Sequence, residues 1–122
     1  MAETNKKLVI MITKGIESEL SSVAFTIANG AITAGLDVSI FLTSTGIDLL
    51  RKRGQTMTQV APLDPLAKLI DDFMQRGGGV WACTPCVASR GYDQADLLDG
   101  VIITGASLMH AAIKDGAATL SF

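Results

Sequence analysis

Leu8-Val9-Ile10-Met11-Ile12 is an unbroken apolar run of strand length. A strand with one face in water alternates apolar and polar residues. A run without alternation marks a strand buried on both faces, as in parallel sheets covered by helices. Working outward, Ser18 can cap a helix reaching about Ala34, and residues 36–42 form a second strand. Thr45 can cap a short helix through Gly46-Ile47-Asp48-Leu49-Leu50 that stops near Gly54. Residues 55–65 make a polar, proline-bearing loop of the length seen in lids and contact surfaces. Leu66, Leu69, Ile70, Phe73 and Met74 fall at helical spacing opposite Lys68, Asp71, Asp72, Gln75 and Arg76. Gly77-Gly78-Gly79 ends that helix, and Val80-Trp81-Ala82 is a third strand running straight into Cys83. A short helix through Arg90 stops at Gly91. Val101-Ile102-Ile103 is a fourth strand, residues 106–115 a last helix and residues 117–122 a closing strand. Strands alternating with helices predict a parallel sheet with right-handed crossovers. The expected fold is α/β, a flavodoxin-like three-layer sandwich of about five mostly parallel strands, in one domain over 1–122.

Composition narrows the function. Of the 122 residues, 48% are apolar and only 18% charged, so excess apolar surface has to be covered, and a subunit interface is the ordinary destination. Between residues 20 and 34 there is no charged side chain. Leu20, Ala24, Ile27 and Ala31 form a stripe expected to face the sheet, with Phe25 and Ile32 apolar well off it. A helix apolar nearly all round is buried nearly all round, which points to a homo-oligomer. The net charge of −2 supplies no field for nucleic acid. Arg51-Lys52-Arg53 is basic, but it closes a predicted helix, where cations complement the dipole. Lys6-Lys7 precedes an apolar run too short for a signal peptide, and no run suits a membrane span, so a cytoplasmic protein without membrane partners is expected. In that compartment cysteines are more often reactive than stapled together.

In open α/β sheets, ligands bind beyond the carboxyl ends of the strands where strand order reverses. The residues predicted there are Thr13-Lys14-Gly15, Thr43-Ser44, Cys83 and Thr104-Gly105. In a flavodoxin-like order the first and third strands are neighbours, so Lys14 and the cysteine turn would share one crevice. Within Cys83-Thr84-Pro85-Cys86, Thr84 is a good N-cap and Pro85 suits the first helical position. Both thiols would then lie near unpaired N–H groups and the positive end of the dipole, which favours thiolate, and Arg90 could add positive charge. A buried cysteine also serves as a small hydrophobe. Two of them flanking Thr-Pro at a strand-to-helix turn favour the reactive reading.

Other chemistries are poorly supplied. Two cysteines and the distant His110 do not make four zinc ligands, so no metal is expected, and no cofactor signature is present. Gly77-Gly78-Gly79 precedes a strand instead of opening a helix, unlike a phosphate-cradling loop. Asp71, Asp72, Asp93, Asp96 and Asp99 read as solvated faces. Trp81-Ala82-Cys83-Thr84-Pro85-Cys86 is similar to a thioredoxin box, but Pro62, Pro65 and Pro85 are the only prolines and none follows the turn.

The stretch from Val80 through Cys83, Cys86, Arg90 and Gly91 to Tyr92, followed by Asp96-Leu97-Leu98-Asp99-Gly100 and Thr104-Gly105-Ala106, resembles the DsrE/DsrF-like family. The resemblance extends over nearly the whole chain. It implies a flavodoxin-like fold, homo- or hetero-oligomers such as a trimer or hexamer, and cytoplasmic sulfur relay between donor and acceptor proteins. The family's persulfide-bearing cysteine follows the third strand, eight residues before the glycine of an Arg-Gly pair, which is the position of Cys83. Cys86 is additional relative to the relay members. It could resolve a persulfide by forming a disulfide and releasing sulfide, or be structural. The leading expectation is a sulfurtransferase-like persulfide carrier with Cys83 and Cys86 as catalytic candidates and Lys14, Thr84 and Arg90 as binding candidates. The alternatives are a non-catalytic oligomeric small-molecule-binding module and a dithiol–disulfide redox protein.

Overall fold

The computed structural model describes residues 6–52 and 58–122. The expected helix stop near Gly54, Arg53 of the basic cluster and the first part of the 55–65 loop lie outside the described residues. The elements in chain order are β1 (Lys7–Ile12), α1 (Glu19–Thr33), β2 (Asp37–Leu42), a 3-10 helix (Ser44–Leu50), α2 (Leu66–Gln75), β3 (Gly79–Cys83), α3 (Thr84–Ser89), a second 3-10 helix (Gln94–Asp96), β4 (Ile102–Thr104), α4 (Ser107–Lys114) and β5 (Ala118–Ser121). All five strands are parallel, in the order β4-β3-β2-β1-β5.

That order decides which face each helix covers. The chain steps one way from β1 to β4, then doubles back past the whole sheet to place β5 beside β1. Right-handed crossovers put the forward connections on one face and the returning one on the other. Accordingly, α1, α2, α3 and the first 3-10 helix pack on one face, where Phe25, Ile47, Phe73 and Val87 meet Leu8, Ile10, Ile40 and Val80 in the core. The rings of Phe25 and Phe73 lie edge to face, 5.9 Å apart at 81°, locking α1 onto α2. Such an aromatic pair contributes about 0.5–1.5 kcal/mol beyond its burial. Among the described residues, the other face carries α4 alone. A groove of about 500 Å³ runs beside it over Val9, Ser39 and Trp81, with Lys7, Asp37 and Asp115 among its lining residues.

Three expectations change. First, the α1 stripe is rotated. Ser21, Ser22, Ala24, Phe25 and Ala28 are the buried residues, while Leu20 and Ile27 are exposed. Phe25 has the largest apolar area in the helix and a ring to pack against. Ser21 tolerates burial because its hydroxyl bonds the carbonyls of Gly15 at 2.6 Å and Lys14 at 3.1 Å. Second, the segment after β2 is a 3-10 helix beginning at Ser44 with Thr43 as its cap, instead of a helix capped by Thr45. Thr45 instead spends its hydroxyl on the Thr13 carbonyl, 3.1 Å away. Third, β2 lies between β1 and β3, so the crevice expected between those two strands does not form. The glycine run behaves as anticipated. Gly77 ends α2 at φ 90°, and a Cβ on Gly78 would stand 2.3 Å from the Phe73 ring.

Candidate functional site

A parallel sheet opens a crevice where adjacent strands send their connections to opposite faces. Here that happens between β3, whose chain turns into α3 on the packed face, and β4, whose chain turns into α4 on the other. Cys83 and Thr104 are register partners at the carboxyl ends of these two strands. Beyond Thr104 the space is open: a Cβ added to Gly105 would meet nothing within 4 Å. Cys83 is therefore at the switch point. Lys14 is not, because β2 and the 3-10 helix beyond it intervene.

Cys83 is both the last residue of β3 and the N-cap of α3, with extended backbone (φ −62°, ψ 122°). The expected cap, Thr84, is one place too late; it is the first helical residue and is exposed, with Pro85 following it. Strand extension carried one residue further supplies the cap conformation at Cys83 itself. Both sulfurs are free thiols and both residues are half-buried.

Helix position predicts a thiolate-favouring site, yet the Cys83 thiol is pushed up from its ordinary pKa. Burial is the largest cause, and the neighbouring Cys86 thiol adds to it, while the backbone N–H of Cys86 works in the opposite direction. α3 has only six residues, so it offers little dipole to offset the lost hydration.

Cys86 has a different environment. The backbone N–H of Ser44 donates to its sulfur at 3.3 Å. Ser44 reaches this position with a left-handed φ of 51°, unusual outside glycine. The segment behind it is firmly seated. The Thr43 N–H bonds the Ile12 carbonyl at 3.0 Å, and the Gly46 N–H returns to the Thr43 carbonyl at 2.9 Å. A side chain on Gly46 would place its Cβ 2.8 Å from the Ile12 carbonyl oxygen. The amide facing Cys86 is thus fixed by the end of β1.

Arg90 does not point its charge at either sulfur. Its guanidinium turns back to the Cys86 carbonyl at 3.2 Å, and its Nε stands 3.9 Å from Asp48 Oδ1. The same carboxylate oxygen accepts the Tyr92 hydroxyl at 2.7 Å, and this bond, helped by burial, raises the Tyr92 pKa. Arg51 lies over the Tyr92 ring, 5.0 Å from its centroid. Together these side chains brace α3 against the first 3-10 helix. Lys52 is 3.6 Å from Asp99, so the basic cluster is partly paired.

The structure brings Cys83, Cys86, Thr84 and Arg90 together and leaves Lys14 apart. Sequence reasoning overlooked Asp48, which reads as one more polar position on a short helix, and the amide of Ser44. A backbone donor depends on φ and has no side-chain signature; the signal available was only that Thr43-Ser44 ends a strand. Among the described residues, no group of three or more His, Cys, Asp or Glu side chains could hold a metal ion. His110 is exposed on α4. Among the same residues, no helix is long and apolar enough to cross a membrane. The arrangement offers two free, half-buried thiols three residues apart where β3 ends and α3 begins.

The model of the DsrE/DsrF-like family matches residues 6–122. An uncharacterized protein of Methanocaldococcus jannaschii is 26% identical over 119 residues, covering 95% of this chain and 99% of its own length. Another, from Methanopyrus kandleri, is 35% identical over 81 residues; the match takes in 64% of each chain, slightly under two thirds of that relative. Among solved structures, the YchN protein of E. coli is similar at a TM-score of 0.80 and 17% identity, over 98% of this chain and 100% of that one. A protein of unknown function from Methanobacterium thermoautotrophicum is similar at 0.75 and 18%, over 97% and 100%. At these identities the structural likeness establishes the fold.

Proposed function

This chain belongs to the DsrE/DsrF-like family, and on that premise we propose that it is a cytoplasmic, homo-oligomeric sulfur-relay protein carrying sulfane sulfur on Cys83. The observation that carries this reading is the place of Cys83, a free thiol at the carboxyl end of β3 where β3 and β4 part. A persulfide donor offers an outer sulfur bound to a thiol leaving group. The Cys83 thiolate attacks that outer sulfur, the donor's S–S bond breaks, and the donor departs as a thiolate. Cys83 is left as a persulfide that an acceptor thiol can attack in the same way. Thr84, exposed beside it, is the polar group nearest an arriving partner in sequence, and Arg90 holds the turn through the Cys86 carbonyl.

The test is intact and peptide mass spectrometry after incubation with a sulfane-sulfur donor. A gain of one sulfur atom on Cys83, absent in Cys83→Ser, is the expected result. Absence of any adduct on Cys83 in both wild type and Cys86→Ser would sink the relay reading. The placement of a second free thiol, Cys86, in the first turn of the helix capped by Cys83 also favours a second reading, a dithiol–disulfide redox protein. That reading gains if the chain cycles between dithiol and disulfide with no sulfur adduct at any stage.

A further inference from the structure

We infer that Cys86 is the attacking thiol that discharges the Cys83 persulfide as sulfide, and that the backbone N–H of Ser44 is the group that positions its sulfur. The inference rests on the relay reading above and adds to it a product and a second catalytic residue. Three observations meet at Cys86. It lies three residues after Cys83, in the first turn of the helix that Cys83 caps, and both are free thiols. A Cys-x-x-Cys spacing at such a turn is compatible with an internal disulfide. The Ser44 N–H is aimed at the Cys86 sulfur, and a backbone donor there supports negative charge on an attacking sulfur. That donor is costly to place, since Ser44 must adopt φ 51°, and it is anchored by Thr43 and Gly46 against the end of β1. Cys83 is half-buried as well, but the backbone N–H that acts on its sulfur belongs to Cys86 in its own helix, not to a separately anchored segment.

The step balances within the chain. The Cys86 thiol gives its proton to solvent, and its sulfur attacks the inner sulfur of the Cys83 persulfide. A bond forms between the two cysteine sulfurs as the bond to the outer sulfur breaks. The outer sulfur leaves with the electron pair as hydrosulfide. The two cysteine sulfurs are oxidised to a disulfide and the sulfane sulfur is reduced to sulfide, so a single turnover calls on no other oxidant or reductant. Repeated turnover consumes a dithiol reductant, which restores the two thiols.

The experiment is a single turnover. The full chain is loaded with sodium polysulfide, freed of donor by gel filtration and held without added thiol. Wild type is expected to release sulfide in step with loss of both alkylatable thiols and appearance of a Cys83–Cys86 disulfide. Cys86→Ser and Cys86→Ala, checked for folding by circular dichroism, are expected to keep the Cys83 persulfide and release no more sulfide than Cys83→Ser. The Ser44 amide resonance is expected to shift as sulfide appears, because its sulfur acceptor is drawn into the disulfide. A wild-type persulfide that persists, or equal sulfide release from the folded Cys86 variants, overturns the inference while leaving the relay reading standing. A Ser44 resonance that does not respond overturns the role given to that amide. Failure of Cys83 to load at all sinks both readings, and is recognised by the missing adduct in the folded Cys86 variants as well as in wild type, with no sulfide released.

Discussion

Cys83 is pulled two ways by its place at a strand end: the crevice exposes its sulfur to a partner, and half-burial withholds the water that a thiolate wants. The second effect is the larger, so the thiol titrates above the ordinary range for cysteine. The sign follows directly. Below its raised pKa, Cys83 is protonated and slow to react; above it, the thiolate is available. Alkylation of Cys83 by iodoacetamide should therefore accelerate through a pH midpoint higher than that of a free cysteine peptide. Cys86→Ser should bring that midpoint part of the way down, because the neighbouring thiol is a contributing cause and burial remains. An unshifted midpoint in wild type would show that burial does not govern this thiol. Persulfide loading should share the same pH dependence, since it uses the same thiolate.

At the level of elements, α1 shows what periodicity reports and what it leaves out. The charge-free stretch from residue 20 to 34 was legible as a helix, and Ser18 caps it as anticipated, its side chain accepting from the Leu20 N–H at 3.2 Å. Which side faces the sheet was not legible, because with so many apolar positions several stripes are equally apolar. Phe25 settled it by meeting Phe73. Phe73→Ala should cost about 3–5 kcal/mol of unfolding free energy in urea. Ile27→Ala should cost much less, its side chain being exposed within the subunit. Equal losses would contradict the observed orientation of α1. The same distinction runs through the rest of the chain. Unbroken or alternating apolar runs disclosed β1 through β5 and their parallel character, and the Cys83 turn marked the strand end where we propose the site. Strand order depends on pairings between distant segments that leave no local mark, so the Lys14 crevice was placed at the wrong pair of strands. The Ser44 amide and the Asp48 carboxylate depend on the same tertiary contacts.

For the whole molecule, the unequal sharing of helices leaves one sheet face thinly covered. Register lines up Met11, Phe41, Trp81 and Ile102 across four strands on the face that, among the described residues, carries only α4. Ile102 is half exposed there, and Leu108 of α4 is exposed beside the groove. The homo-oligomer in our reading would cover such a surface. Sedimentation velocity should then report an assembly for wild type and a shift toward monomer for Ile102→Asp combined with Leu108→Asp. Identical sedimentation of the two would remove this face from consideration.

Strand order also acts as a ruler. Adjacent strands lie about 4.8 Å apart, so with β2 between them the Lys14 loop and the cysteine turn are separated by roughly 10 Å. A sulfur atom changes hands over a bond length, and a small persulfide covers only the end of β3 and its neighbour. In the relay reading proposed above, only a partner broad enough to overlie more than one strand end would meet both the cysteine turn and the Lys14 loop.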